Sequence, residues 1–224
     1  MISALKAFEQ ALTKSERRVL AELTTPMKIQ VFLDKLPYSV ESGYRCPLRV
    51  LREEVAHCFD GALFGALALR RLGYPPLILN MIANDEDDDH ILALFKRDGY
   101  WGAIAKSNFS GLRFREPVYR TLRELVMSYF EQFYNVERKK TLRCYTVPLH
   151  LKAFDKFNWM TSDPPIEKIG KRLDEIRKVR ILTRSMVTSL SLIDERSFQS
   201  GLVGTNRAGL YQPDKKMRRK PEKF

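Results

Sequence analysis

The chain has 224 residues, 44% of them hydrophobic and 29% charged, with 39 Lys and Arg against 27 Asp and Glu for a formal net charge of +12. That length suffices for one ordinary domain with a real core, and the composition is that of a globular protein. No stretch approaches the roughly 18 unbroken apolar residues of a membrane helix, and three cysteines (Cys46, Cys58, Cys144) without CxxC spacing argue against a disulfide framework or a zinc site.

The stretch Met1 to Leu23 is charged throughout and does not read as a signal peptide, so a reducing, cytoplasmic compartment is expected. The positive charge is spread along the chain. Asp214 to Phe224 carries six Lys/Arg against two acids, which is +4 and leaves +8 elsewhere. No RNA-recognition aromatic motif, zinc-finger spacing or helix-turn-helix accompanies it.

Taken in order, residues 2–12 and 14–23 read as two short helices joined at Thr13-Lys14-Ser15-Glu16, a capping box. Thr25-Pro26 starts a third, with Ile29, Phe32, Leu33 and Leu36 facing inward. Pro37 to Pro47 is a loop, and Leu48 to Val55 a short helix or turn. Cys58 then opens the most apolar helix of the chain, Gly61-Ala62-Leu63-Phe64-Gly65-Ala66-Leu67-Ala68-Leu69, which ends in Arg70-Arg71-Leu72-Gly73. Apolar residues all round predict burial on most sides, with Arg in the last turn and Gly73 as the stop. A cysteine at the amino end meets unpaired backbone N–H groups, a setting that favours thiolate chemistry, although a free cysteine is more often plain packing.

Beyond Tyr74-Pro75-Pro76, residues Leu77 to Ile82 read as a buried strand and Asn84 to Asp89 as a solvated acidic loop. His90 to Arg97 is a second strand, Asp98-Gly99 a hairpin turn, and Tyr100 to Ala105 the return. Centring the turn between 98 and 99 pairs position 90 with 107, which brings His90 to Ser107 and Asn108. Glu116-Pro117 is expected to start a helix reaching about Asn135. Thr141 to Val147 is a strand, Phe154 to Trp159 an aromatic turn, and Ile166 to Val179 a charged amphipathic helix. The boundaries expected are an N-terminal helical segment (1–47), a core (48–150), a C-terminal helical segment (151–196) and a basic, disordered tail (197–224).

The order of a helix-borne Cys58, a strand, His90 and a hairpin carrying Trp101 resembles the transglutaminase-like superfamily of papain-like thiol enzymes over about residues 50–115. The stretch from Cys58 to Leu72-Gly73-Tyr74-Pro75 and the spacing of His90, Asp98-Gly99 and Trp101 carry the likeness. The resemblance implies an α+β fold, with the cysteine helix packed on an antiparallel sheet flanked by N- and C-terminal helices. It also implies Cys58–His90 acyl transfer or amide hydrolysis through a thioester, on a protein, peptide or amide substrate and without a cofactor. One position departs from the pattern: the family's aspartate falls on Ala105. Asn108, then Ser107, are the substitutes for orienting the imidazole. Gln30, Tyr44 and Arg45 are candidate oxyanion donors beside the Cys58 N–H.

Other residues take structural assignments: His57 as a cap, His150, Cys46 and Cys144 as packing or surface groups. Two further classes stay open. A catalytically silent binding module of the same fold is suggested by Ala105. A nucleic-acid or polyanion binder would use the tail and the basic surface. Neither a membrane partner nor an oligomeric state is indicated.

Overall fold

The computed structural model describes residues 3–41 and 43–212. Helices α1 (Ala4–Gln10) and α2 (Lys14–Glu22) form where the periodicity puts them. Thr13 and Glu16 cap α2 reciprocally, with Glu16 N–H on Thr13 Oγ1 at 3.2 Å and Thr13 N–H on Glu16 Oε2 at 2.6 Å. Helices α3 (Pro26–Lys35) and α4 (Pro47–Glu53) both begin on proline, which needs no N–H acceptor there. Helix α5 (Cys58–Arg71) is buried from Cys58 through Leu69. Arg70 in its last turn forms a two-pronged pair with Asp155, both bonds 2.7 Å.

Strands β1 (Leu77–Ala83), β2 (His90–Arg97), β3 (Tyr100–Ile104), β4 (Arg115–Tyr119), β5 (Leu142–Thr146), β6 (Leu149–His150) and β7 (Lys178–Arg180) form one sheet. Its order is β4-β3-β2-β1-β5-β7, with β6 also on β1, and every pairing is antiparallel. The alternation of strand side chains divides the core in two. Ile78, Ile91, Ala93 and Phe95 face α5 and the N-terminal helices. Leu79, Met81, Leu92 and Leu94 face the other way, toward α6 (Leu122–Met127) and Phe133. The α+β architecture with a buried helix on an antiparallel sheet is thus the one expected. The first core runs from Phe8 to Leu173, so the N- and C-terminal helical segments share it with the middle of the chain. Among the described residues no helix is long and apolar enough to cross a membrane.

Three expectations need correction. No long helix spans 116–135: Arg115–Tyr119 is the edge strand β4, and only α6 and a 3₁₀ turn at Phe130–Gln132 follow. Pro117 is accommodated because an edge strand has one row of unpaired donors. Helix α7 (Pro164–Glu175) stops before Val179, since Ile176 turns extended and the chain pairs with β5 as β7. Sheet pairing overrides the helical period there. The expected tail is ordered in its first part. After α8 (Arg184–Thr188), α9 (Glu195–Gly201) and a 3₁₀ turn at Arg207–Gly209 form. The basic run Lys215 to Lys220 lies outside the described residues.

Candidate active site

The backbone reaches Cys58 through a short parallel contact. Ser39 N–H donates to Ala56 O at 3.0 Å and Ala56 N–H to Pro37 O at 3.3 Å, which lays Tyr38 beside the start of α5. His57 is the N-cap: its Nδ1 accepts from Phe59 N–H at 3.3 Å. Asp60, fully buried, completes the cap by accepting from His57 N–H at 3.2 Å and Arg45 N–H at 2.9 Å. Burial pushes the Asp60 carboxyl up, and the two N–H donors and the nearby His57 and Arg45 charges oppose that. The Arg45 guanidinium joins Ser39, Glu41 and Glu53 to this end of the helix.

Cys58 is buried, and its sulfur lies 3.9 Å from His57 Nδ1, 4.0 Å from His57 Nε2 and 3.8 Å from the Asp89 carbonyl. The His57 Nδ1 lone pair is committed to Phe59 N–H, so in the neutral ring Nε2 carries the proton. That ring is a cap, and neither nitrogen is free to accept from the thiol.

His90 opens β2 and is 5% exposed. Its Nε2 donates to the Leu112 carbonyl at 2.8 Å, leaving Nδ1 as the basic nitrogen. No hydrogen bond joins Cys58 to His90, but the two line one cavity of about 60 Å³ together with Tyr38, Ser107, Asn108 and Leu112.

The hairpin obeys the expected register, Arg97 opposite Tyr100 and Ala93 opposite Ile104. The ladder ends there because the Gln30 side chain takes over: Nε2 donates to Ala105 O at 2.9 Å and Oε1 accepts from Ala105 N–H at 3.0 Å. Ala105 therefore faces the second core with its backbone fully occupied. Ser107 Oγ accepts from Phe109 N–H at 3.0 Å. Asn108 Nδ2 donates to Asn206 O and its Oδ1 accepts from Asn206 N–H, each at 2.9 Å. Neither side chain bonds to the imidazole; the group that does is the Leu112 carbonyl, which has no side-chain signature in the sequence.

Of the oxyanion candidates, Gln30 is committed to Ala105, Arg45 to its ion pairs, and Tyr44 packs edge-on against Phe59 at 5.0 Å. The phenol that faces Cys58 is that of Tyr38. Burial, then the negative charge of a Cys58 thiolate and of Asp88, push it far above the ordinary tyrosine range, and a bond with the Cys58 side chain adds to this. The Cys58 backbone N–H works in the opposite direction. Tyr38 was not legible beforehand, because no motif places a loop tyrosine twenty residues upstream of a nucleophile.

The C-terminal segment covers this side of the site. Besides its exchange with Asn108, Asn206 donates from Nδ2 to Tyr38 O at 3.2 Å, and Thr205 Oγ1 donates to Asn108 O at 2.9 Å. A side chain at Gly209 would meet Tyr38 Cδ1 at 3.0 Å, and Gly209 and Tyr211 line the cavity. On its other side, Cys58 borders a larger groove of about 580 Å³. Among the described residues no three His, Cys, Asp or Glu side chains are placed to hold a metal ion.

No family model matches the chain. Nor does any curated protein. Among solved structures the chain is similar to Legionella pneumophila LapG at 15% identity and a TM-score of 0.34, covering 47% of this chain and 74% of that one. A second structure of LapG, EGTA-treated, matches at 15% identity and a TM-score of 0.34, covering 48% and 71%. This is a distant likeness at the level of the fold, and it carries no weight for the activity.

Proposed function

We propose that the chain is a thiol-dependent enzyme that transfers or hydrolyses an acyl group, with Cys58 as nucleophile and His90 as base. The observation that supports this reading is the shared cavity, in which a cysteine at a helix amino end and an imidazole with its Nε2 held by Leu112 O line the same space. In this reading His90 Nδ1 takes the thiol proton as the sulfur adds to an amide carbonyl. The carbon–sulfur bond forms, and the imidazolium returns the proton to the departing amine as the carbon–nitrogen bond breaks. Water or a second amine then resolves the thioester. The Cys58 N–H and the Tyr38 hydroxyl are the donors offered to the tetrahedral oxygen. Asn108 and Ser107 enter the proposal as cavity walls.

The test is labelling with a thiol-reactive acyl probe. Wild-type protein is expected to label at one site, with labelling lost in Cys58→Ala and at least about a hundredfold slower in His90→Ala. Equal labelling in all three proteins would end the proposal. The rival reading, a silent binding module, is favoured by the lack of a hydrogen bond between sulfur and imidazole and by Ala105 where a carboxylate is expected. It predicts that His90→Ala leaves the Cys58 alkylation rate unchanged.

A further inference from the structure

The groove on the far side of Cys58 differs in character from the rest of the molecule. The chain is strongly basic, yet five carboxyl groups and a single lysine, Lys171, line this groove. Elsewhere acids are mostly ion-paired, as with Asp34 to Arg113, Glu53 to Arg45 and Arg49, and Asp163 to Arg49. Glu167 and Asp174, one helical turn or more apart on the exposed face of α7, have no ion-pair partner among the described residues. Asp174 acts across the groove on Asp89 and on Tyr44, so these walls face one another.

A second observation is independent of the charges. Asn80, on the groove's sheet wall, is 4% exposed, and among the described residues no group donates to its buried Oδ1. The orientation of the amide is fixed, because Nδ2 donates to Asp89 Oδ2 at 2.7 Å and a flipped amide would set oxygen against oxygen. An orphaned buried acceptor is costly unless something donates to it. Carboxylates on both walls, an acceptor lacking its donor and the aromatic rim of Tyr44 and Phe59 all suit a positively charged donor.

We infer that this groove is a subsite for a lysine or arginine side chain of a peptide substrate, held next to the bond that Cys58 attacks. The inference builds on the thiol-enzyme reading for its chemistry, but its binding can be measured apart from it. The long-range field opposes such a ligand, because a +12 chain repels basic peptides and attracts acidic ones. A preference for basic peptide therefore has to come from the groove.

The experiment measures fluorescence anisotropy of three labelled hexapeptides, Lys-Gly, Gln-Gly and Glu-Gly repeats, on the Cys58→Ala protein. The lysine peptide is expected to bind about fivefold or more tightly than the glutamine peptide. Glu167→Gln with Asp174→Asn, both on an exposed helix face, should lower that ratio by about twofold or more, the sheet-side carboxyls remaining. Equal affinities, tightest binding by the glutamate peptide, or a ratio unmoved by the double substitution would each overturn the assignment. Basic-peptide selectivity without Cys58-dependent labelling of the wild type would leave the groove standing and remove the enzyme.

Discussion

The imidazole of His90 donates to a main-chain oxygen, that of Leu112, at 2.8 Å. A carbonyl can hold the ring and its tautomer, but it cannot carry the full negative charge that a carboxylate sets against an imidazolium. The partner also survives any side-chain substitution. Ser107→Ala and Asn108→Ala are therefore expected to change the rate of Cys58 acylation by no more than about threefold, against about a hundredfold or more for His90→Ala. Stopped-flow rates with an acyl probe distinguish these outcomes.

Tyr38→Phe removes the hydroxyl facing Cys58 and keeps the ring that packs near His57, 6.0 Å between centroids. A fall in kcat of about 10–100-fold with KM within about threefold is the expected result, because such a donor acts on charge that develops only during reaction. A change confined to KM would place the hydroxyl in substrate binding instead.

Asp87 gives a stability profile of unusual sign. Burial, with the added charges of Asp88 and Asp89, pushes its carboxyl up to about 6, and the Thr141 hydroxyl and Asp88 N–H only partly offset this. The unfolded carboxyl titrates near 3.9. Between about pH 4 and 6 the native state keeps a proton that the unfolded chain has released, so this contribution falls as pH rises across that window. The shift amounts to a destabilisation of about 2–3 kcal/mol, absent below about pH 4 and complete above about pH 6. Urea unfolding of Asp87→Asn should show a flatter profile than wild type from pH 4 to 6, and about 1–2 kcal/mol more stability at pH 7.

Gly61 packs against Lys106 so closely that an added Cβ would overlap the lysine Cβ. Lys106 cannot retreat, because its Nζ donates to the carbonyls of Leu33 and Leu36 at the end of α3. Gly61→Ala is expected to cost about 2–3 kcal/mol despite the better helix propensity of alanine. A urea midpoint equal to wild type would show that Lys106 yields to the added methyl group.

The parts of the fold written in residue types could be read in advance. The apolar run of α5 predicts its burial, and Asp98-Gly99, both with positive φ, marks a turn whose register follows by counting. The Cys58 and His90 positions follow from those two elements. The imidazole's partner does not, because a main-chain carbonyl has the same chemistry at every residue. The papain-like resemblance implies Asn108, with Ser107 second, as the group that holds the imidazole, but Gln30 ends the strand at Ala105 and Asn108 turns to Asn206, 98 positions away. The 116–135 stretch misled for a related reason: apolar residues at helical spacing also serve a strand and two short turns over one core.

The contact of Asn206 with Asn108 and Tyr38 has a consequence for biosynthesis. The wall it supplies is encoded roughly 150 residues after the thiol it encloses. At about 5–20 residues per second, translation leaves Cys58 without that wall for about 7–30 s. A nascent chain would thus carry a sulfur open on that side, and its reactivity toward small electrophiles should drop as the segment around Asn206 docks.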